Sequence, residues 1–325
     1  MKRFFILASA AIVALASCSK TQVVYNDAPE EISFKKITNV MTKALSTDPL
    51  EGDMGVFAYQ GADLYFDNTD FEKRNTETYW TAETPKYWPI DGDLTFTVYS
   101  PYDATVKYYN VANASDPVVD AKTLYIKATG TLTDWLYGTT QPTGDKSSEK
   151  VDVTLAHALS LVDINITGNA AINLKAVELL KTYQAGAGKI VYSTPVDVDW
   201  DVTGITPTET ISLYTPTNNV DGDDLSSTAK NVSHLVVPTT NLTNEAIKLT
   251  YRMDGSSVDL EYTTAITPAN ILGTAWEHGK KYIYNINIGV KEIQFNPVVL
   301  EWDANTGIDG AAADDDGDVK QIEIN

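Results

Sequence analysis

The groups that could do chemistry in this chain are few in kind: one thiol, three imidazoles and a surplus of carboxylates. His157, His234 and His278 stand far apart, without the His-Glu-x-x-His spacing that sets two imidazoles on one helix face for zinc. Each falls at the edge of an expected strand or in the turn before one, so structural roles are the expectation. There is no Gly-x-Ser-x-Gly elbow to present a nucleophilic serine and no glycine-rich loop to cradle a phosphate. The acidic run Asp314 to Asp318 invites a calcium reading, but an EF-type loop needs glycine at its sixth position. Counted from Asp314, that position is Val319. The run reads as a solvated linker. With 44 acidic against 24 basic side chains, some carboxylates must lie close together, yet no pair is marked as the acid and base of a hydrolase. No catalytic residue, metal or cofactor is expected, and a structural or binding protein is. The net charge of −20 also argues against a nucleic-acid partner.

The thiol is the informative group. Lys2 and Arg3 precede an apolar run from Phe4 to Leu15, and the small residues Ala16 and Ser17 follow, which is the pattern of a secretory signal over residues 1–17. The run falls short of the ~20 residues a membrane-spanning helix needs. Leu15-Ala16-Ser17-Cys18 resembles the lipobox of bacterial lipoproteins, in which the cysteine is acylated and becomes the first residue after cleavage. That resemblance implies a lipid on Cys18 and a tether to the outer membrane. With Cys18 so used, no thiol remains for a disulfide, and the exported part must hold together by packing. Residues 18–30 are polar and aperiodic, as a tether would be.

The elements that follow are strands. Leu94, Phe96 and Val98 alternate with threonines; Val151, Val153 and Leu155 alternate with Asp152 and Thr154; Val162, Ile164 and Ile166 continue the pattern. Later come Val196, Val198 and Trp200, then Ile247, Leu249 and Tyr251, then Val258, Leu260 and Tyr262. Tyr282, Tyr284, Ile286 and Ile288 share one face, and Val298, Leu300 and Trp302 another. A period of two is that of half-buried strands, and Asp91-Gly92, Asp221-Gly222 and Asp254-Gly255 supply turns between them. Residues 173–183 carry apolar side chains at spacings open to either a strand or a short helix. An all-β chain of antiparallel sandwiches follows, with domains expected over 31–168 and 169–303 and an acidic linker with a strand-like tail over 304–325. The aromatics of "TETYWTAETPKYWPI" are expected mostly in the core.

In their order, the lipobox, "ISFKKI", "MTKALS", "MGVFAYQ", "KYWPIDGDLTFTVYSPY", "TDWLYG", "VDVTLAHALSLVDINIT", "HLVVPTT" and "GKKYIYNINIGVKEIQFNPVVLEW" resemble the Bacteroidales fimbrillins, the type V pilins and their Mfa-like relatives. The resemblance implies two transthyretin-like antiparallel β-sandwich domains and a non-enzymatic subunit of a cell-surface fimbrium contributing to adhesion. It further implies a lipoprotein precursor at the outer membrane, from which a protease removes the first strand. A donor strand from another subunit then fills the groove. On that reading Ile32, Phe34 and Ile37 are plugs of the strand to be removed. Lys43 stands where relatives carry a basic cleavage residue, and the tail, with Val319, Ile322 and Ile324, is the candidate donor. The expected partners are other fimbrial subunits, the outer membrane through the lipid, and host or bacterial glycans or proteins. An uncut subunit would instead be an anchor, a tip or a stand-alone surface lipoprotein.

Overall fold

A computed structural model describes residues 30–39, 52–61, 63–73, 79–109, 123–128, 133–142, 150–168, 171–184, 186–191, 197–202, 204–216, 221–225, 229–239, 242, 244–266, 275–289 and 293–301. Every regular element among them is a β-strand. The first half carries β1 (Phe34–Asn39), β2 (Met54–Gln60), β3 (Asp63–Lys73), β4 (Trp80–Ala82), β5 (Leu94–Ser100), β6 (Lys107–Tyr109), β7 (Thr123–Ala128), β8 (Leu136–Thr140) and β9 (Val151–His157). There follow β10 (Ser160–Gly168), β11 (Ile172–Thr182), β12 (Gly186–Val191), β13 (Asp197–Asp201), β14 (Thr208–Tyr214) and β15 (Asp223–Asp224). The last are β16 (Lys230–Val236), β17 (Ala246–Met253), β18 (Asp259–Ala265), β19 (Lys280–Ile288) and β20 (Ile293–Glu301).

The all-β class is as the alternation predicts, and the ambiguous segment at 173–183 is the strand β11. The architecture of the first half differs from two open sheets. Its strands close into a barrel in the order β1-β4-β3-β2-β5-β8-β9, with β9 pairing back onto β1. Closure leaves no free edge and lets both wall faces be used. Along β2, Met54, Val56 and Ala58 point into the barrel core, while Phe57 and Tyr59 join a second cluster outside it with Tyr99, Trp135, Val198, Trp200 and Leu235. That is why β2 and β5 are buried at nearly every position and show no burial alternation.

The rest of the chain packs two sheets face to face. One runs β16-β10-β19-β20, the other β14-β11-β17-β18 with β15 beside β11. Val162, Ile164, Ile166, Leu174, Val177, Leu249, Tyr284 and Ile286 fill the space between. β10 lies parallel to β19, Ile164 opposite Tyr284, although the sequence suggested antiparallel partners throughout. The chain leaves the barrel at β9 and enters this pair at β10. A further sheet, β13-β12-β7-β6, combines strands from both halves. The short link between β9 and β10 is pinned on several sides. Ala158 N donates to Trp135 O (2.7 Å), Trp200 Nε1 to Ala158 O (2.6 Å), Gly279 N to Leu159 O (2.9 Å) and Ser160 Oγ to Glu277 O (2.7 Å).

The three Asp-Gly turns each place glycine at positive φ: Gly92 at 81°, Gly222 at 100° and Gly255 at 76°. Their surroundings differ, and so do the expected costs of adding a methyl group. A Cβ at Gly222 would fall 2.6 Å from the carbonyl oxygen of Leu174, whereas one at Gly255 would meet nothing within 4 Å. Gly222→Ala should therefore lower stability by about 2 kcal/mol and Gly255→Ala by only about 1 kcal/mol, read from denaturant midpoints. Equal losses would mean that backbone strain alone decides both.

Candidate functional site

The barrel is closed by β1, between β9 and β4. β1 pairs in parallel with β9 from Phe34↔Val151 to Asn39↔Leu155, with a register shift between Phe34 and Lys36. Its other edge meets β4 through one residue pair, Phe34↔Trp80. The residues just before β1 are held by main-chain bonds: Ile32 N donates to Lys86 O (2.7 Å), Trp88 N to Glu30 O (2.9 Å) and Val151 N to Ser33 O (2.7 Å). Inward, Ile32 and Phe34 are fully buried. The Phe34 ring stands edge-on to Phe71 (5.2 Å between centroids) and Phe96 (5.4 Å), and Trp88 stands edge-on to Phe96 (5.6 Å). These T-shaped contacts add to burial itself. Without residues 30–39, Trp88 and Val151 would lose the acceptors for their amides, and an apolar trench lined by Phe71, Trp80, Trp88, Phe96 and Val151 would open.

Of the residues singled out from sequence, Ile32 and Phe34 are thus brought together on one face. Ile37 pairs with Val153 through the backbone. Cys18, Lys43, Val319, Ile322 and Ile324 lie outside the described residues. The three histidines do not converge. His157 is buried at the end of β9, with Nδ1 2.8 Å from Asp134 Oδ1. His278 Nδ1 lies 3.3 Å from Tyr137 OH, and His234 sits within β16, Nε2 3.0 Å from Gln184 Nε2. Burial holds the His234 imidazole below its ordinary pKa.

Sequence reading missed one cluster. Asp53, Asp70 and Glu72 bring carboxylate oxygens within 4.8 Å of one another, an oxygen-only set of the kind hard divalent cations take. The available signal was Asp70 and Glu72 two apart on one strand, beside the residue that opens β2. Burial, with the charges of Asp53, Glu72 and Glu83, raises the Asp70 carboxyl from 3.8 to about 6, and its Oδ1 has no hydrogen-bond partner among the described residues. With the folded pKa raised, the unfolded chain ionises first, so the contribution of Asp70 to stability is greatest below about pH 4 and falls as pH rises to about 6. Asp70→Asn should remove that decline and gain about 1 kcal/mol at pH 7, after allowance for solvent screening. A variant with the wild-type pH profile in urea melts would show that Asp70 does not cause it.

The fold and this strand can be set beside known proteins. No curated protein matches the sequence. Among solved structures, the chain superposes on a candidate cell-adhesion protein from Bacteroides uniformis (TM-score 0.56, 17% identity), covering 84% of this chain and 98% of that one. A candidate cell-adhesion protein from Bacteroides ovatus gives a TM-score of 0.54 at 15% identity over 85% and 99% of the two chains. A fimbrial protein from Bacteroides vulgatus gives 0.53 at 15% over 77% and 92%. At such identities these likenesses establish the fold. The sequence model described as fimbrillin-like matches residues 42–302. The chain belongs to the fimbrillin-like family. Its membership makes it a structural, non-enzymatic fimbrial protein of the cell surface.

Proposed function

We propose that this fimbrillin-like protein is exported as a lipoprotein acylated on Cys18 and is assembled into a fimbrium by exchange of β1 for a strand of another subunit. Cleavage after Lys43 would release residues 18–43, lipid and β1 together. The observation that carries the proposal is that β1 alone completes the barrel between β9 and β4, with Ile32 and Phe34 as wholly buried plugs. Its loss exposes an edge and a trench that an incoming strand repairs by main-chain pairing and side-chain insertion. Those two plugs alone are worth roughly 3–6 kcal/mol of burial. The tail fits as donor because Ile322 and Ile324 repeat the two-residue spacing of Ile32 and Phe34, which sets both plugs on one face. The acidic linker before it gives the donor reach. The partners are then other fimbrial subunits, and before cleavage the outer membrane. We divide the chain into an N-terminal barrel and a C-terminal sandwich joined at residues 157–160 and bound by the mixed sheet.

The test is the N-terminus of protein recovered from its native cell surface, determined by mass spectrometry. A start at Ala44 without lipid is the expected result. A start at acylated Cys18 on every molecule would overturn strand exchange and leave an anchor or free-standing lipoprotein.

A further inference from the structure

Four large apolar side chains stand in solvent at one end of the barrel. Leu64 (38% exposed) and Tyr65 (39%) open β3, and Tyr87 (42%) and Ile90 (107%) lie on the loop before β5. They form one surface. Tyr65 OH donates to Tyr87 O (3.0 Å), and Gln60 Nε2 donates to Asp91 O (2.6 Å), tying the β2–β3 hairpin to the loop. The backing is firm: Phe66, next to Tyr65, is buried against Phe71 and Phe96. Around the patch stand exposed carboxylates: Asp63 and Asp67 on β3, Asp91 beside Ile90, and Glu31, whose backbone bridges Tyr87. The nearby ammonium of Lys86 lies over the Phe66 ring at 5.7 Å.

The other exposed apolar pair, Val258 and Leu260, has a different setting. There the neighbouring acids are matched: Asp259 by Arg252 (2.8 Å) and Lys175 (3.6 Å), and Glu261 by Lys248 (2.8 Å). The barrel end combines aromatic and aliphatic anchors with an acidic rim, which is the composition of a docking surface.

We propose that this barrel end docks a different protein, through a patch on that partner with an apolar centre and a lysine or arginine rim. The same face of a second copy is disfavoured as occupant, because it would set this acidic rim against itself. None of the four apolar side chains belongs to β1, but Glu31 and the main-chain bonds that hold residues 86–88 come from the segment that strand exchange would remove, so the proposal concerns the uncut chain.

The test titrates the full chain with a short lysine-flanked Leu-Tyr peptide and with its glutamate-flanked counterpart, following aromatic and methyl resonances. The lysine peptide is expected to bind and to shift Tyr65, Tyr87 and Ile90, and salt should weaken it. The double variant Tyr87→Ser/Ile90→Ser should lose about tenfold in affinity while keeping its thermal midpoint, and Val258→Ser/Leu260→Ser should lose nothing. Undiminished binding to Tyr87→Ser/Ile90→Ser would overturn the proposal, because the peptide would then be sensing only the general acidity. Failure of the lysine peptide, with a neutral oligosaccharide bound in a manner lost in the same variant, would overturn it in favour of a glycan platform. Self-association abolished by Ile90→Ser would overturn it in favour of a second copy.

Discussion

Phe34→Ala is expected to destabilise the barrel by about 3–5 kcal/mol, the usual cost of removing a wholly buried aromatic ring. Neighbouring side chains cannot readily relax into the space, because Phe71 on β3 and Phe96 on β5 stand at near right angles to the ring inside the barrel and Trp80 faces it across the strand pair. The loss should be local. Amides of β1, β4 and β9 should exchange faster, while those of β11 and β17, in the separate sandwich core, should keep their protection. Phe34→Leu should cost much less, since most of the volume is kept. If strand exchange operates, Phe34→Ala should speed release of the cut strand by on the order of 10²–10⁴-fold, the equivalent of that free energy. Uniform loss of protection across both units would instead mean that barrel and sandwich unfold as one, and that β1 cannot leave alone.

Why the closing strand was legible, and its partners were not, follows from what periodicity encodes. Ile32 and Phe34 alternate with polar neighbours, so the sequence announces a strand with one apolar face. Nothing in that pattern names β9 as its parallel neighbour or says that the sheet closes. The same holds for β7 and β12, which pair across the two halves. Turns were readable because Asp-Gly requires a backbone that glycine alone enters cheaply, and all three glycines stand at positive φ.

Alternation misleads where burial is not one-sided. β5 is buried on both faces, since its outer wall is roofed by aromatics of the second cluster. β18 fails in the opposite sense: Val258 and Leu260 alternate as a core face should, yet both are exposed, because β18 is the edge strand of its sheet. In "TETYWTAETPKYWPI", Trp80 and Trp88 enter the barrel core, while Tyr87 turns out to solvent. Of the acidic trio, only the spacing of Asp70 and Glu72 was readable, because the approach of Asp53 depends on how β2 and β3 pair, and pairing is a property of the fold.

Asp163→Ala should be comparably damaging, at about 3–5 kcal/mol, for a different reason. Asp163 projects from the face of β10 opposite its apolar row, and Lys281 Nζ lies 2.7 Å from Asp163 Oδ2, with both side chains under a tenth exposed. Ser233 Oγ donates to the other carboxylate oxygen. Removing the carboxylate leaves an ammonium stranded away from water and a hydroxyl without its acceptor. Removing both charges together is another matter, because the desolvation cost of the pair disappears with it. Asp163→Leu/Lys281→Met/Ser233→Ala should thus recover most of the loss in urea melts, and a full double-mutant cycle should return a coupling of a few kcal/mol. Stability is then a poor reason for the pair to exist, and register is a better one. β10 and β19 run parallel, and a slip of two residues would keep every apolar side chain on its proper face. A slip that set Asp163 opposite Asn285 would part it from Lys281, and a slip in either direction would break the bond from Asn165 Nδ2 to Asn285 Oδ1 (2.9 Å) on the same face. The apolar triple variant that also carries Asn165→Val/Asn285→Val should remain folded but show more than one set of amide resonances along β10 and β19. A single set would assign register to the apolar rows alone.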